Sequence, residues 1–171
     1  MSSHTPAFST PDPIRVPHHR EVPFQLPDAS SPAGQRWASL LHDTPLIWFT
    51  TVDEAGVPHS LPLAFLWDEA DSTFLIYSMP EADRDHMRHL RHNPKVGLHF
   101  DSDRHSTDPI VLTGAGSLST DDPPSDQVPA WVEKYQPLFS HMGMTMQQAA
   151  VIAPVALRVR PLTMIVTSWT S

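Results

Sequence analysis

Cysteine is absent from the 171 residues, which excludes disulfide frameworks, thiolate nucleophiles, thiolate zinc sites and cysteine-ligated iron–sulfur clusters. No apolar run approaches the ~20 residues of a membrane-spanning helix, and the first residues lack the basic-then-apolar order of a signal peptide. The expectation is a cytoplasmic protein without a membrane partner. Lysine and arginine number 11 against 19 acids, for a formal net charge of -8. That balance argues against nucleic acid as a partner, because such binding relies on cations that neutralise phosphates. The chain also has no G-x-S-x-G, no G-x-G-x-x-G and no phosphate loop, and no nucleophile and base stand at a catalytic spacing.

Proline, by contrast, is abundant at 19 residues, and seven of them fall between Pro6 and Pro32. They break any helix or central strand, so residues 1–32 read as an extended or disordered arm, and Ile14, Val16, Val22, Phe24 and Leu26 are its candidate anchors. Residues 33–171 then form one domain. Trp37, Leu40 and Leu41 share a helical face between Ala33 and Asp43. Leu46–Val52 and His59–Trp67 flank an Asp53–Gly56 turn as a hairpin, and Thr73–Ser78 follows as a third strand. A helix over Glu81–Arg91 begins in acidic residues and stops at Asn93-Pro94. Val96–Phe100 and Ile110–Leu118 are further strands, separated by a loop at Asp101–Asp108. Trp131 to Phe139 has helical spacing that Pro137 should shorten or kink, and Thr145–Ile152 adds a turn or two. The chain closes with Val155–Arg160 and Met164–Trp169, one strand interrupted at Pro161. Six strands with short helices predict a mainly β barrel.

Three stretches, WFTTVDEAGVPHSLPLAFLWDE, FLIYSMPEADRDHMRHLRHNPKVGLHFD and GAGSLSTDDPP followed by VPAWVEKY, resemble the pyridoxamine 5'-phosphate oxidase-like superfamily. Within it they are similar to the flavin/deazaflavin oxidoreductases described as F-420-dependent. The shared features are a W-x-T-T strand, a Tyr-Ser-x-Pro strand end at Tyr77–Pro80, Asn-Pro-x-Val at Asn93–Val96, and an acidic turn before a helix carrying Lys134-Tyr135. The resemblance implies a six-stranded antiparallel split β-barrel, a homodimer with the cofactor in the groove between barrels, and deazaflavin F-420 or FMN as that cofactor. It implies that His59, Ser60, Leu61, Pro62, Leu63, Ala64 and Phe65 line the ring. It also implies that Ser78 and the first amides of the 81–91 helix receive the phosphate end, with Arg84 and His86 adding positive charge, and that Tyr77 and Met79 belong to the cofactor site. Two positions depart from the family: Ala64 stands where an aromatic is common, and His86 where a lysine is, with Arg84, Arg88 and Arg91 nearby.

No catalytic side chain is required, since the cofactor carries the hydride and the substrate is a small organic molecule. His86, His89 and His92 recur every third residue and drift around a helix, so no metal site is expected. The alternative from another class is a non-catalytic flavin-, deazaflavin- or haem-binding protein, to which the two departures and the many histidines point. Leu63 and Phe65 read equally as inward barrel packing, His59 as a turn histidine, Trp48 and Trp169 as core or interface aromatics, and the methionines at 142, 144 and 146 as core packing or a loop near the entrance.

Overall fold

Residues 46–52 alternate about a wall: Ile47, Phe49 and Thr51 are buried, whereas Leu46 faces solvent and Trp48 and Thr50 are half-covered. The same alternation recurs along the sheet. A computed structural model describes residues 16–79, 85–100 and 110–170. The strands are β1 (Val16–Pro23), β2 (Leu46–Val52), β3 (Pro58–Asp68), β4 (Thr73–Ser78), β5 (Lys95–Phe100), β6 (Ile110–Ser119) and β7 (Val155–Thr170). Helices are α1 (Pro32–Asp43), α2 (His86–His92), α3 (Pro129–His141) and α4 (Met146–Ile152).

Every pairing is antiparallel, and β2, β3, β4, β7, β6 and β5 close a six-stranded barrel through the β2–β5 contact. The inward faces build one core in which Phe65 meets Phe100 edge-on at a centroid distance of 5.5 Å and Phe74 at 5.9 Å. β4 is buried on both faces because α3 and α4 cover its outer side. There Leu75 and Tyr77 join Trp131, Tyr135, Met146 and Ala156 in a second cluster. The Tyr135 hydroxyl accepts from the Phe65 amide (2.8 Å) and is turned towards the carbonyls of Pro45 (2.8 Å) and Phe65 (2.7 Å), which ties α3 to β3.

Several expectations change. Part of the 1–32 arm is an extended strand: β1 pairs with the far half of β7, Val16 opposite Thr170 and Pro23 opposite Thr163. A seventh strand thus joins the six of the barrel. Its prolines are tolerated because β1 is an edge strand, where a missing N–H costs little. Phe24 packs within its own chain against Trp37 and Trp67, each at 6.0 Å. Pro161 does not interrupt β7. A bulge absorbs it, with Thr113 opposite Thr163 but Gly114 opposite Pro161, so Leu162 is the extra residue and points outward. Pro137 sits inside α3 without ending it. Helix α2 starts at His86 with Asp85 as its N-cap, later than the expected Glu81. Ile14, residues 80–84 (Arg84 included) and the Asp101–Asp108 loop lie outside the described residues.

Candidate functional site

Strand β3 is longer than its partner. It pairs with β4 only over Phe65–Asp68 and continues from Ala64 back to Pro58 bound to β2 alone. The Phe65 amide and carbonyl both turn to the Tyr135 hydroxyl beside Pro45, on the β2 edge. Strand alternation therefore directs the backbone groups of Ala64, Pro62 and Ser60 to the opposite, open edge. Pro62 fits there because no neighbouring strand asks for its missing N–H. This split in the barrel wall is a length of strand edge with free donors and acceptors, bordered by the end of β4 at Tyr77–Met79 and by α2.

Helix α2 plugs the same end of the barrel. Its inward face is His86, Met87, His89 and Leu90, all buried. His86 is 1% exposed, stands edge-on to Phe49 at 5.8 Å, and its Nε2 lies 2.7 Å from Oγ of Ser78, itself 3% exposed. His89 is 3% exposed, with Nδ1 2.9 Å from Oγ1 of the fully buried Thr51. Its ring lies 4.8 Å from that of His59, whose Nε2 is 3.0 Å from Oδ2 of Asp53. The other Asp53 oxygen accepts the amides of Ala55 and Val57, each at 2.9 Å, so the hairpin turn itself positions the carboxylate. The His59 bond is the first reason that the Asp53 carboxyl is held below its ordinary value. Desolvation, then the charges of His59 and Arg88, push the His89 imidazole down towards neutrality.

The residues singled out from the sequence therefore divide. Ser60, Pro62 and Ala64 share the outward row of β3 and the open edge, and Ser60 Oγ bonds Thr50 Oγ1 at 2.7 Å. His59, Leu61 and Leu63 turn the other way, and Phe65 is wholly in the barrel core. Tyr77 serves the second cluster: its hydroxyl donates to the Pro123 carbonyl (2.5 Å), and burial, with Asp122 next, pushes it up to about 12. Met79 is exposed. Ser78 and His86 face one another behind the edge, and Asp85 caps α2, its side chain accepting from the Arg88 amide. Asp53, Thr51 and His89 were not singled out as one site, since only pairing of β2 with β3 and docking of α2 bring positions so far apart in the chain together.

On the outer wall, Pro62, Trp48, His99, Val111 and Ile165 form one rung across five strands. Trp48 and His99 stack with rings 3° from parallel at 5.7 Å. The next rung is Ser60, Thr50, Gly97, Thr113 and Thr163. Elsewhere a cleft of about 660 Å³ between α1, the end of β3 and α3 is lined by Leu41, Asp43, Trp67, Glu133 and Lys134. The Lys134 ammonium is already engaged, donating to the carbonyls of Leu41 (2.8 Å) and Phe65 (3.2 Å) over the Phe65 ring, so it acts as a bolt between elements. Among the described residues no group of three or more His, Asp or Glu could hold a metal, and no helix is long and apolar enough to cross a membrane.

A family model described as pyridoxamine 5'-phosphate oxidase matches residues 33–163. No curated protein sequence matches the chain. Among solved structures, a pyridoxamine 5'-phosphate oxidase-like protein of Listeria innocua superposes with a TM-score of 0.52 at 20% identity, over 74% of this chain and 91% of the other. The haem storage protein HutZ of Vibrio cholerae gives 0.54 at 14% identity, over 77% and 92%. A FAD-binding protein of Mesorhizobium loti gives 0.53 at 16% identity, over 90% and 99%. At these identities the likeness is one of fold.

Proposed function

Because this chain belongs to the pyridoxamine 5'-phosphate oxidase family, we propose that it is an oxidoreductase that binds FMN or deazaflavin F-420 along the open edge of β3 and passes hydride to or from a small organic substrate. The observation that carries the reading is the stretch from Pro58 to Ala64, paired with β2 on one edge and with no strand on the other. The pyrimidine end of either ring is a flat row of carbonyls and N–H groups. It is complementary to a strand edge that offers the Ala64 and Ser60 amides and the carbonyls of Ser60 and Pro62. The residues present thus fit the ring. When bound, the cofactor supplies the hydride.

The chain's own groups orient and enclose. Met79, exposed beside the edge, provides apolar cover. Ser78 and His86 hold the end of β4 and the start of α2 in register behind the site, and Arg84 is the cation proposed for the phosphate. The outward rung with Trp48 and His99 continues from Pro62, so a second copy of the chain seated on this face would complete the groove as a homodimer. Light scattering at micromolar concentration is expected to give twice the mass of the chain; a monomer removes the shared groove from the proposal.

The direct test is titration of the full chain with FMN and with F-420, followed by fluorescence. Micromolar binding of one of them is expected, and the combined Ser78→Ala, His86→Ala variant, which loses the contact that holds the end of β4 against α2, should bind more weakly. Failure to bind either overturns the proposal. It would favour the second reading, a non-catalytic binder, which rests on the engagement of His59, Ser78 and His86 by protein partners. A red, haem-absorbing protein in place of a yellow one identifies that outcome.

A further inference from the structure

A barrel plug has no inherent need of polar side chains on its inner face, yet two of the four buried residues of α2 are histidines. The helix has seven residues, too short to hold together without its contacts. Its polar attachment to the β2–β3 hairpin is His89, bonded through Nδ1 to Thr51 at 2.9 Å and lying against His59 at 4.8 Å. Register explains the convergence, since Thr51 stands opposite His59 on adjacent strands and one imidazole spans both.

We propose that the close His59–His89 pair is an acid-sensitive latch: it holds α2 closed over the end of the barrel at neutral pH and releases the helix when His89 takes up a proton. The charged groups around it are few. Asp53 and His59 come from the hairpin, and Arg88 and Asp85 from α2 and its N-cap. Asp53 is bonded to His59 alone of the two, so the carboxylate backs the His59 ring and not the His89 ring. A proton on His89 is opposed first by the loss of water and then by the charges of His59 and Arg88. The attraction of Asp53 and Asp85 acts the other way and is weaker.

The direction follows from linkage. His89 in the closed state is held below its ordinary value of 6.5, whereas in the released state it faces water and titrates normally. Closure is therefore unopposed above pH 6.5. As the pH falls below that value the released state binds a proton that the closed state refuses, and the equilibrium moves towards release by up to tenfold per pH unit until the lowered value is reached. Because α2 borders the open edge of β3, its release would also dismantle one side of the proposed cofactor site. That consequence rests on the functional reading above, but the latch itself does not.

Amide hydrogen exchange of residues 86–92 in the full, cofactor-free chain tests it. After normalisation for intrinsic exchange, protection of α2 should fall, by up to about tenfold, between pH 7.5 and pH 5.5, while the Phe65–Phe74–Phe100 core strands keep theirs. His89→Gln keeps a hydrogen-bonding group near Thr51 but cannot titrate, and should remove this difference. Equal protection of wild type at both pH values overturns the latch, as does the same acid loosening in His89→Gln. FMN and F-420 titrations at the two pH values are read separately. If neither binds at pH 7.5 the cofactor assignment fails while the exchange result still decides the latch; if one binds equally well at both pH values while α2 loosens, the latch does not regulate the site.

Discussion

Phe65→Ala is expected to lower the stability of the chain by about 3–5 kcal/mol, one of the largest effects a single substitution can have here. The residue is fully buried, edge-on to Phe74 and Phe100, with the Lys134 ammonium 3.8 Å above its ring. Its truncation removes a shared partner from three elements at once, and closed strands on every side restrict the collapse that would fill the space. For a domain of this size the change corresponds to a fall of roughly 10 °C or more in Tm. Urea denaturation with an unchanged slope is the measurement. A loss below about 1.5 kcal/mol would mean that the barrel interior repacks freely and is not the close-packed aromatic core described.

Arg158→Met addresses the principal ion-pair network outside the barrel. Arg158 donates from Nη1 to Asp68 (2.6 Å) and Thr73 (3.0 Å), and from Nε (2.8 Å) and Nη2 to the two oxygens of Asp122. This joins the β3–β4 turn, β7 and the acidic turn after β6. Methionine keeps the stem and strands two carboxylates around the vacated position. About 2 kcal/mol is the expected cost, kept modest because the guanidinium is 22% exposed and partly screened. The pH dependence is the sharper signature. The bond to Arg158 is the first cause holding the carboxyls of Asp68 and Asp122 below 3.8. Their stabilising contribution is thus complete above about pH 4–5 and is lost as pH falls through the lowered values. Wild type should therefore lose its advantage over the variant below about pH 4. An advantage that persists undiminished to pH 2 would show that the network does not act through charge.

The strands of the barrel were legible because each carries its own signal. Leu46–Val52 and Thr73–Ser78 are bounded by polar turns, and the two runs form β2 and β4 with those bounds. The sequence did not disclose β1, since VPHHREVP has no apolar alternation and two prolines, and becomes a strand only because β7 offers it an edge. The bulge at Leu162 was hidden for a related reason. Proline is read locally as a break, whereas the register of β6 can slip by one residue to accommodate it. Of the site, the outward residues of β3 could be inferred from the family pattern. The inward course of His86 and the meeting of His59 with His89 could not, because the recurrence of histidine every third residue says nothing about which ones a short helix will bury.

Strand β7 presents one edge to β6 while its other edge serves β4 and then β1 in succession, so a single late segment seals the wall and also pins the opposite end of the chain. On the ribosome this imposes an order of events. Every earlier strand can be exposed before the staple that unites them exists, and the residues from Val155 onward close contacts with positions as remote as Val16. Nascent chains paused ahead of β7 present unsealed strand edges of the kind that invite intermolecular pairing.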